Sequence, residues 1–255
     1  MAHIVEIYTE SVYDNLSPLY PNWEPSRPVK LGDFGRLQGH VFLYEGNVSR
    51  FGIEFAVREA DAQDHKNFAS QGKTEVSFNA AGSVPVDGVQ AKASLKIDFT
   101  AEDAVFFNAA GCSYSMIEDK VALGDRIMKL PDDAWKREWA IVTDLVQARS
   151  TTLAVSGARK ASIEIEAAGD VPQIDLGDAS IGLGVRSSRN VGYQLVAKQG
   201  LTPLFGLCKI QSRFLGLGGE SFKPLAHRRL RTRAAVEDLE ARERGDDALY
   251  FGQLK

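Results

Sequence analysis

The chain has 255 residues, 44% of them hydrophobic and 25% charged, the balance of a globular protein with a full core. A formal net charge of −4 argues against a protein dedicated to nucleic acid, whose domains carry a strong basic excess. No apolar run reaches the roughly eighteen residues of a membrane-crossing helix, and the opening M-A-H-I-V-E-I-Y lacks a basic region ahead of an apolar one, so a soluble, non-secreted product is expected.

In chain order, His3 to Tyr8 reads as an opening strand. Pro18, Pro21, Pro25 and Pro28 then break the chain into loop or extended cover. Leu31–Gly35, His40–Tyr44 and Phe51–Val57 form a meander of short strands with glycine-bearing turns, and Ala60–Gly72 is polar and reads as a loop.

The most regular segment follows. From Val89 to Phe99 every odd position is apolar (Val89, Ala91, Ala93, Leu95, Ile97, Phe99) and every even one polar, the signature of a strand with one dry face. Thr74–Val86 alternates similarly, and a turn with Pro85, Asp87 and Gly88 joins the two into an antiparallel hairpin. Such a hairpin suits a soluble sheet. It also suits a membrane, which about 9 to 11 tilted residues cross.

Ala104–Phe107 begins another strand. Met116–Leu130 carries Ile117, Val121, Leu123, Ile127 and Leu130 at helical intervals and predicts a helix that Pro131 stops. Glu138–Val146 is apolar on nearly both faces, as a central strand would be. Thr151–Val155 and Ala161–Ala167, joined by Ser156–Arg159, read as a second hairpin with Ile163 and Ile165 on its dry side. Ser180–Val185, Asn190–Ala197 and Thr202–Ile210 complete the strands. The expected class is α+β, a twisted and mainly antiparallel sheet with a few packed helices.

The composition changes near the C-terminus, dividing the chain into a body (1–222) and a charged tail (223–255). The tail holds a basic cluster, Arg228, Arg229, Arg231 and Arg233, then a short charged helix candidate that includes Arg244, and then the apolar residues Leu249, Tyr250, Phe251 and Leu254. It is too polar for its own core, yet those four side chains suit docking on the body.

Catalytic patterns are lacking. Gly72-Lys73-Thr74 resembles the end of a phosphate-binding loop, but Asn67 stands where the first glycine is required and a strand follows instead of a helix. His3, His40, His65 and His227 pair with no other ligand at metal-binding spacing. Cys112 and Cys208 suit a reducing compartment and are expected to pack as small hydrophobes. No catalytic residue, cofactor or metal is therefore assigned, and the protein is not expected to be an enzyme.

The stretch from Asp125 to Val155, with L-P-D-D-A-W-K-R-E-W-A-I-V-T-D-L-V-Q-A-R-S-T-T-L-A-V, resembles the gasdermin pore-forming domain, where a charged helix precedes a strand of the type L-Y-V-V-T-E-A-V-E. Trp139, Ile141, Val142, Thr143, Asp144 and Val146 carry the likeness, and N-V-G-Y-Q-L-V-A at Asn190–Ala197 extends it. The resemblance implies a protein that rests in the cytoplasm until a protease cuts near its C-terminus. It then oligomerises on an anionic membrane as a β-barrel pore, in cell death or antiviral defence. Thr74–Phe99 and the strands about Glu138–Ala167 would be the two membrane hairpins, inserting through the odd positions from Val89 to Phe99 with Ile163 and Ile165. Lys92, Lys96 and Asp98 would face the lumen. Arg228, Arg229, Arg231, Arg233 and Arg244 would be lipid contacts or cleavage sites, and Leu249, Tyr250, Phe251 and Leu254 the autoinhibitory contact. No cysteine precedes Cys112, so the N-terminal lipid modification of bacterial members is not implied. A soluble β-rich binding or structural subunit is the alternative.

Overall fold

The computed structural model describes residues 2–79, 94–131, 133–168, 182–187, 190–211 and 221–224. Along the chain, helix α1 (Ala2–Leu16) is followed by strands β1 (Tyr20–Pro21), β2 (Asp33–Gln38), β3 (Val41–Asn47), β4 (Val57–Ala69), β5 (Thr74–Asn79), β6 (Ser94–Phe99) and β7 (Val105–Ile117). Helix α2 (Lys120–Met128) precedes β8 (Ala140–Ser156), β9 (Ala161–Ala168), β10 (Gly182–Ser187), β11 (Val191–Gln211) and β12 (Ser221–Pro224). Every strand pair among the described residues is antiparallel, so the α+β class stands.

β8 is the spine of the main sheet. β11 pairs along one side of it, while β2 (through Ile141 and Ala140) and then β7 share the other. β3 lies beyond β2, β4 beyond β7, and β1 and β12 on the outer side of β11. Glu138–Val146 was expected as an inner strand, and Ala140–Val146 is one. The strand does not stop there. Its 17 residues run through Gln147–Ser150, where exposed Gln147 and Arg149 alternate with buried Ala148 and Ser150. The polar residues that divide it in the sequence are one face of the same ladder.

Helix α1 replaces the strand expected at His3–Tyr8. The six residues H-I-V-E-I-Y are too few to fix a period, but over the full segment Ile4, Tyr8 and Val12 recur every four, and Tyr8 and Val12 are buried against Val105, Phe107, Leu153 and Val155. Glu6, Glu10 and Asp14 face water. On the other face of the sheet, where Ile141 points opposite to Ala140 and Val142, α2 packs through Leu123 and Ile127 beside Phe34 and Trp139. This helix is shorter than the predicted Met116–Leu130. The Asp119 carboxylate accepts the Ala122 N–H at 2.8 Å as its N-cap, so Met116 and Ile117 remain in β7, and Val121 is exposed instead of packed.

Three further expectations are corrected. Ala60–Gly72 is not a loop up to Ala69 but most of β4, which pairs only with β7 among the described residues and carries charges of the kind that protect a sheet edge. Phe51–Val57 is no strand before Val57; a short 3-10 turn, Val48–Phe51, stands at its start. Asn190–Ala197 and Thr202–Ile210 are one strand, β11, with register shifts between Lys198 and Leu204 that absorb the intervening residues.

Gly35 is required by backbone proximity. A Cβ there would collide with the Leu43 carbonyl oxygen and lie 2.8 Å from the carbonyl carbon, neither of which can move without breaking the β2–β3 pair. Gly35→Ala is expected to cost about 2 kcal/mol, read as a lower urea midpoint with an unchanged slope.

Cys112 and Cys208 are buried and free. Burial pushes both thiols up to about 11, with the Asp64 carboxylate adding to the rise at Cys112 and the Thr143 hydroxyl opposing it at Cys208. A thiol whose folded value lies above its unfolded one contributes stability that is complete below the unfolded value and lost as pH rises through the folded one. Stability is therefore expected to fall between about pH 9 and 11. Iodoacetamide at pH 8 should label neither cysteine in the native protein and both after unfolding; labelling of the native form would contradict this burial.

Candidate functional site

β5, β6, β9 and β10 do not join the main sheet. They form a second, four-stranded sheet in the order β10-β9-β6-β5. The first predicted hairpin is present at its described ends, with Thr74 opposite Phe99 and Asn79 opposite Ser94. The second is corrected: Ala161–Ala167 does not fold back on Thr151–Val155, because β8 is already paired on both sides by β7 and β11. β9 instead lies between β6 and β10.

This pairing gathers the predicted dry-face residues. Leu95 is opposite Ile165, Ile97 opposite Ile163, and Phe99 opposite Ala161. Ile97, Phe99, Ala161, Ile163 and Ile165 are buried against Ala104, Phe106 and Ala154 of the main sheet, with Leu95 at the margin. Val89, Ala91 and Ala93 lie outside the described residues, as do the tail residues Arg228, Arg229, Arg231, Arg233, Arg244, Leu249, Tyr250, Phe251 and Leu254.

The other face of the second sheet is polar. The Lys96 ammonium lies 2.9 Å from the Asp98 carboxylate and directly opposite Glu164 in the ladder. The Asp98 hydrogen bond and charge, with a smaller contribution from Glu164, hold the lysine above its ordinary value. Asp98 is opposite Glu75 on one side and Ser162 on the other, so this face is a solvated ladder of charge and hydroxyl groups.

The two sheets share a plan that the sequence does not announce. Strand β4 leads to β5, β6 to β7, β8 to β9 and β10 to β11, so the order β4-β7-β8-β11 in one sheet is repeated as β5-β6-β9-β10 in the other. Between Phe99↔Ala161 and Val105↔Val155, five residues lie on each strand, 100–104 and 156–160. The central ladder therefore resumes in the same register across the joint. In the outer ladders the linkers differ by two: four residues (70–73) against six (100–105), and, beyond the bulge at Val191, seven (156–162) against five (188–192). An even offset leaves each residue on its own face.

No protein-family model matches this chain, and no curated protein does. A solved structure does. It is a chain of the "Cryo-EM structure of the Gasdermin A3 membrane pore", with 9% sequence identity, 87% of this chain and 94% of that chain covered, and a TM-score of 0.32.

Among the described residues no helix is long and apolar enough to cross a membrane, and no group of three metal-ligating side chains is assembled. Gly72-Lys73-Thr74 is a turn, with Gly72 at φ +65°, that enters β5. The residues missed by sequence reasoning are those of the joints, above all Ser70 and Ser156. Their one local mark is that each stands just before a glycine-bearing turn into a new strand.

Ile97 is fully buried in the contact between the two sheets. Ile97→Ala is expected to destabilise the protein by about 2 to 4 kcal/mol. Amide exchange should rise first in residues 94–99 and 161–166; exchange that rose equally throughout the main sheet would show that the second sheet has no separate stability.

Proposed function

We infer that the chain is a gasdermin-like pore-forming protein, acting by membrane insertion and not by catalysis. It rests in the cytoplasm until a protease cuts the C-terminal segment, then assembles on an anionic membrane as a β-barrel. The observation that supports this reading is the repeated strand order with the unbroken central register. Straightening the joints turns the two sheets into one continuous four-stranded antiparallel sheet, without re-pairing β6 with β9 or β7 with β8.

The chemistry of the faces agrees. Odd positions of β6 and β9 would continue the face that carries Val105, Phe107, Leu153 and Val155, making one apolar surface. Lys96, Asp98, Ser162 and Glu164 would line the opposite, water-filled side. By sequence the two arms, Thr74–Val86 and Val89–Phe99, are 13 and 11 residues long, enough for the roughly 9 to 11 that a tilted strand needs to cross the hydrocarbon.

Such a sheet cannot stand alone in lipid, where unpaired edge groups cost several kcal/mol each. One edge would be β4–β5 and the other β10 with the part of β11 ahead of Leu204, where β1 and β12 take over its outer side, so copies would pair head to tail and close as a ring. Cleavage among Arg228, Arg229, Arg231, Arg233 and Arg244 would leave Leu249, Tyr250, Phe251 and Leu254 on a short peptide. Without the covalent tether and its effective concentration, that peptide is held weakly.

Dye release from phosphatidylcholine–phosphatidylserine vesicles tests the reading. Intact protein should be silent and protein cut within 228–244 active. Leu95→Asp should lower release strongly, because a buried charge near mid-bilayer costs about 2 to 3 kcal/mol per chain. Glu164→Gln, on the wet face, should leave release near the parent level. Cut protein that stays monomeric and inert on these vesicles would reject the pore in favour of a soluble binding subunit; circular dichroism of each variant separates loss of insertion from loss of folding.

A further inference from the structure

Both hairpins leave the main sheet at a serine, and the two serines do the same thing. In an antiparallel ladder the two residues of a hydrogen-bonded pair exchange N–H and carbonyl in both directions. At the joints half of that exchange is replaced. The Ser70 N–H donates to the Val105 carbonyl at 3.0 Å, but the Val105 N–H donates to Ser70 Oγ at 2.9 Å. The Ser70 carbonyl accepts instead from the Lys73 N–H at 3.2 Å. Likewise the Ser156 N–H donates to the Ala104 carbonyl at 2.9 Å, while the Ala104 N–H donates to Ser156 Oγ at 3.0 Å. The Ser156 carbonyl accepts from the Asp103 N–H at 3.3 Å, and its hydroxyl donates to the Ala101 carbonyl at 2.8 Å.

Each hydroxyl stands in for the residue's own carbonyl, which is thereby free for a second partner: at Ser70 the Lys73 N–H that closes the turn into β5, and at Ser156 the Asp103 N–H of the neighbouring link between β6 and β7. The turns also contain the two non-glycine residues with positive φ among those described, Asp103 at +58° and Lys160 at +63°. A side chain in this left-handed region is strained, and an extended strand relieves it.

We propose that Ser70 and Ser156 are positioning residues, latches that set where each hairpin folds away from the sheet, while Asp103 and Lys160 hold the joint in a backbone conformation that straightening releases. The proposal rests on the reading of the hairpins as segments that extend. Without the hydroxyl, the Ala104 or Val105 N–H has no acceptor in the folded-back form but finds the serine-position carbonyl in a straight ladder. Glycine at 103 or 160 acts in the opposite sense, because it occupies the left-handed region without strain.

Full-length protein carrying Ser70→Ala, Ser156→Ala, Asp103→Gly or Lys160→Gly is compared by hydrogen exchange and, after cleavage, by release from phosphatidylcholine–phosphatidylserine vesicles. Ser150→Ala is the control, since the buried Ser150 hydroxyl has no hydrogen-bond partner to lose among the described residues. Each latch variant should speed exchange in residues 94–99 and 161–166 by about three- to tenfold over the control, with residues 140–155 unchanged, and should speed release. The glycine variants should slow both. Serine variants that exchange like Ser150→Ala, or that loosen 140–155 equally, overturn the latch even if the parent releases dye. Faster exchange confined to 94–99 and 161–166, with no release from any protein, upholds the latch and rejects the pore.

Discussion

The structure depends on β8 being hydrogen-bonded on both sides along nearly its whole length. A strand in that position can lend no partner to whatever follows it in sequence, so the chain after Ser156 must find pairing elsewhere. It finds it on β6, the strand that precedes β7, and the second sheet follows from that necessity. The same saturation explains why Ser150, Thr151 and Thr152 are buried in the spine. They pair with β7 on one side and β11 on the other, and small side chains let both faces be covered closely.

The second sheet presents one apolar face, and water decides where it goes. Burying Ile97, Phe99, Ile163 and Ile165 against the main sheet is worth on the order of 1.5 to 3 kcal/mol for each side chain. In water this holds the sheet down. At a bilayer the balance changes, because hydrocarbon tails are as apolar as the contacts they replace and the hydrophobic term no longer distinguishes the two positions. A face that stabilises the folded-back form in solution can thus be handed to lipid at little cost, provided that the edge strands are paired by further copies. In the proposed extended arrangement the polar ladder around Lys96, Asp98 and Glu164 would meet water as it does in the folded-back one, so the same alternation would serve both.

Helices α1 and α2 cover opposite faces of the main sheet and leave the second sheet to its own packing. Tyr8 shows how closely α1 is seated: its ring lies 5.7 Å from Trp23 and 6.5 Å from Phe107, and its hydroxyl is buried without a hydrogen-bond partner among the described residues. Burial, with a contribution from Tyr193, raises that phenol far above its ordinary range. An orphaned hydroxyl at the centre of an apolar contact is a cost that the surrounding aromatic packing offsets.

Strict alternation was enough to read the strand at Leu95, Ile97 and Phe99, and with it the dry face that Ile163 and Ile165 share, because a period of two has one structural meaning when it persists. The antiparallel class, the inner strand at Ala140–Val146 and the buried cysteines were legible for similarly local reasons. Helix α1 was not, since the six residues His3–Tyr8 are too few to set a period and the packing of Tyr8 and Val12 on the sheet is what marks the helical one. β4 was hidden because an edge strand needs no apolar run, and the continuity of β8 through Gln147–Ser150 because one ladder can change from two buried faces to one. The partners of β9 lay beyond any local signal: pairing is chosen by which edges remain open once β7 and β11 have taken β8. The joints at Ser70 and Ser156 belong to the same class, for a serine becomes a ladder's end only when a neighbouring strand brings an N–H to its hydroxyl and a turn claims its carbonyl.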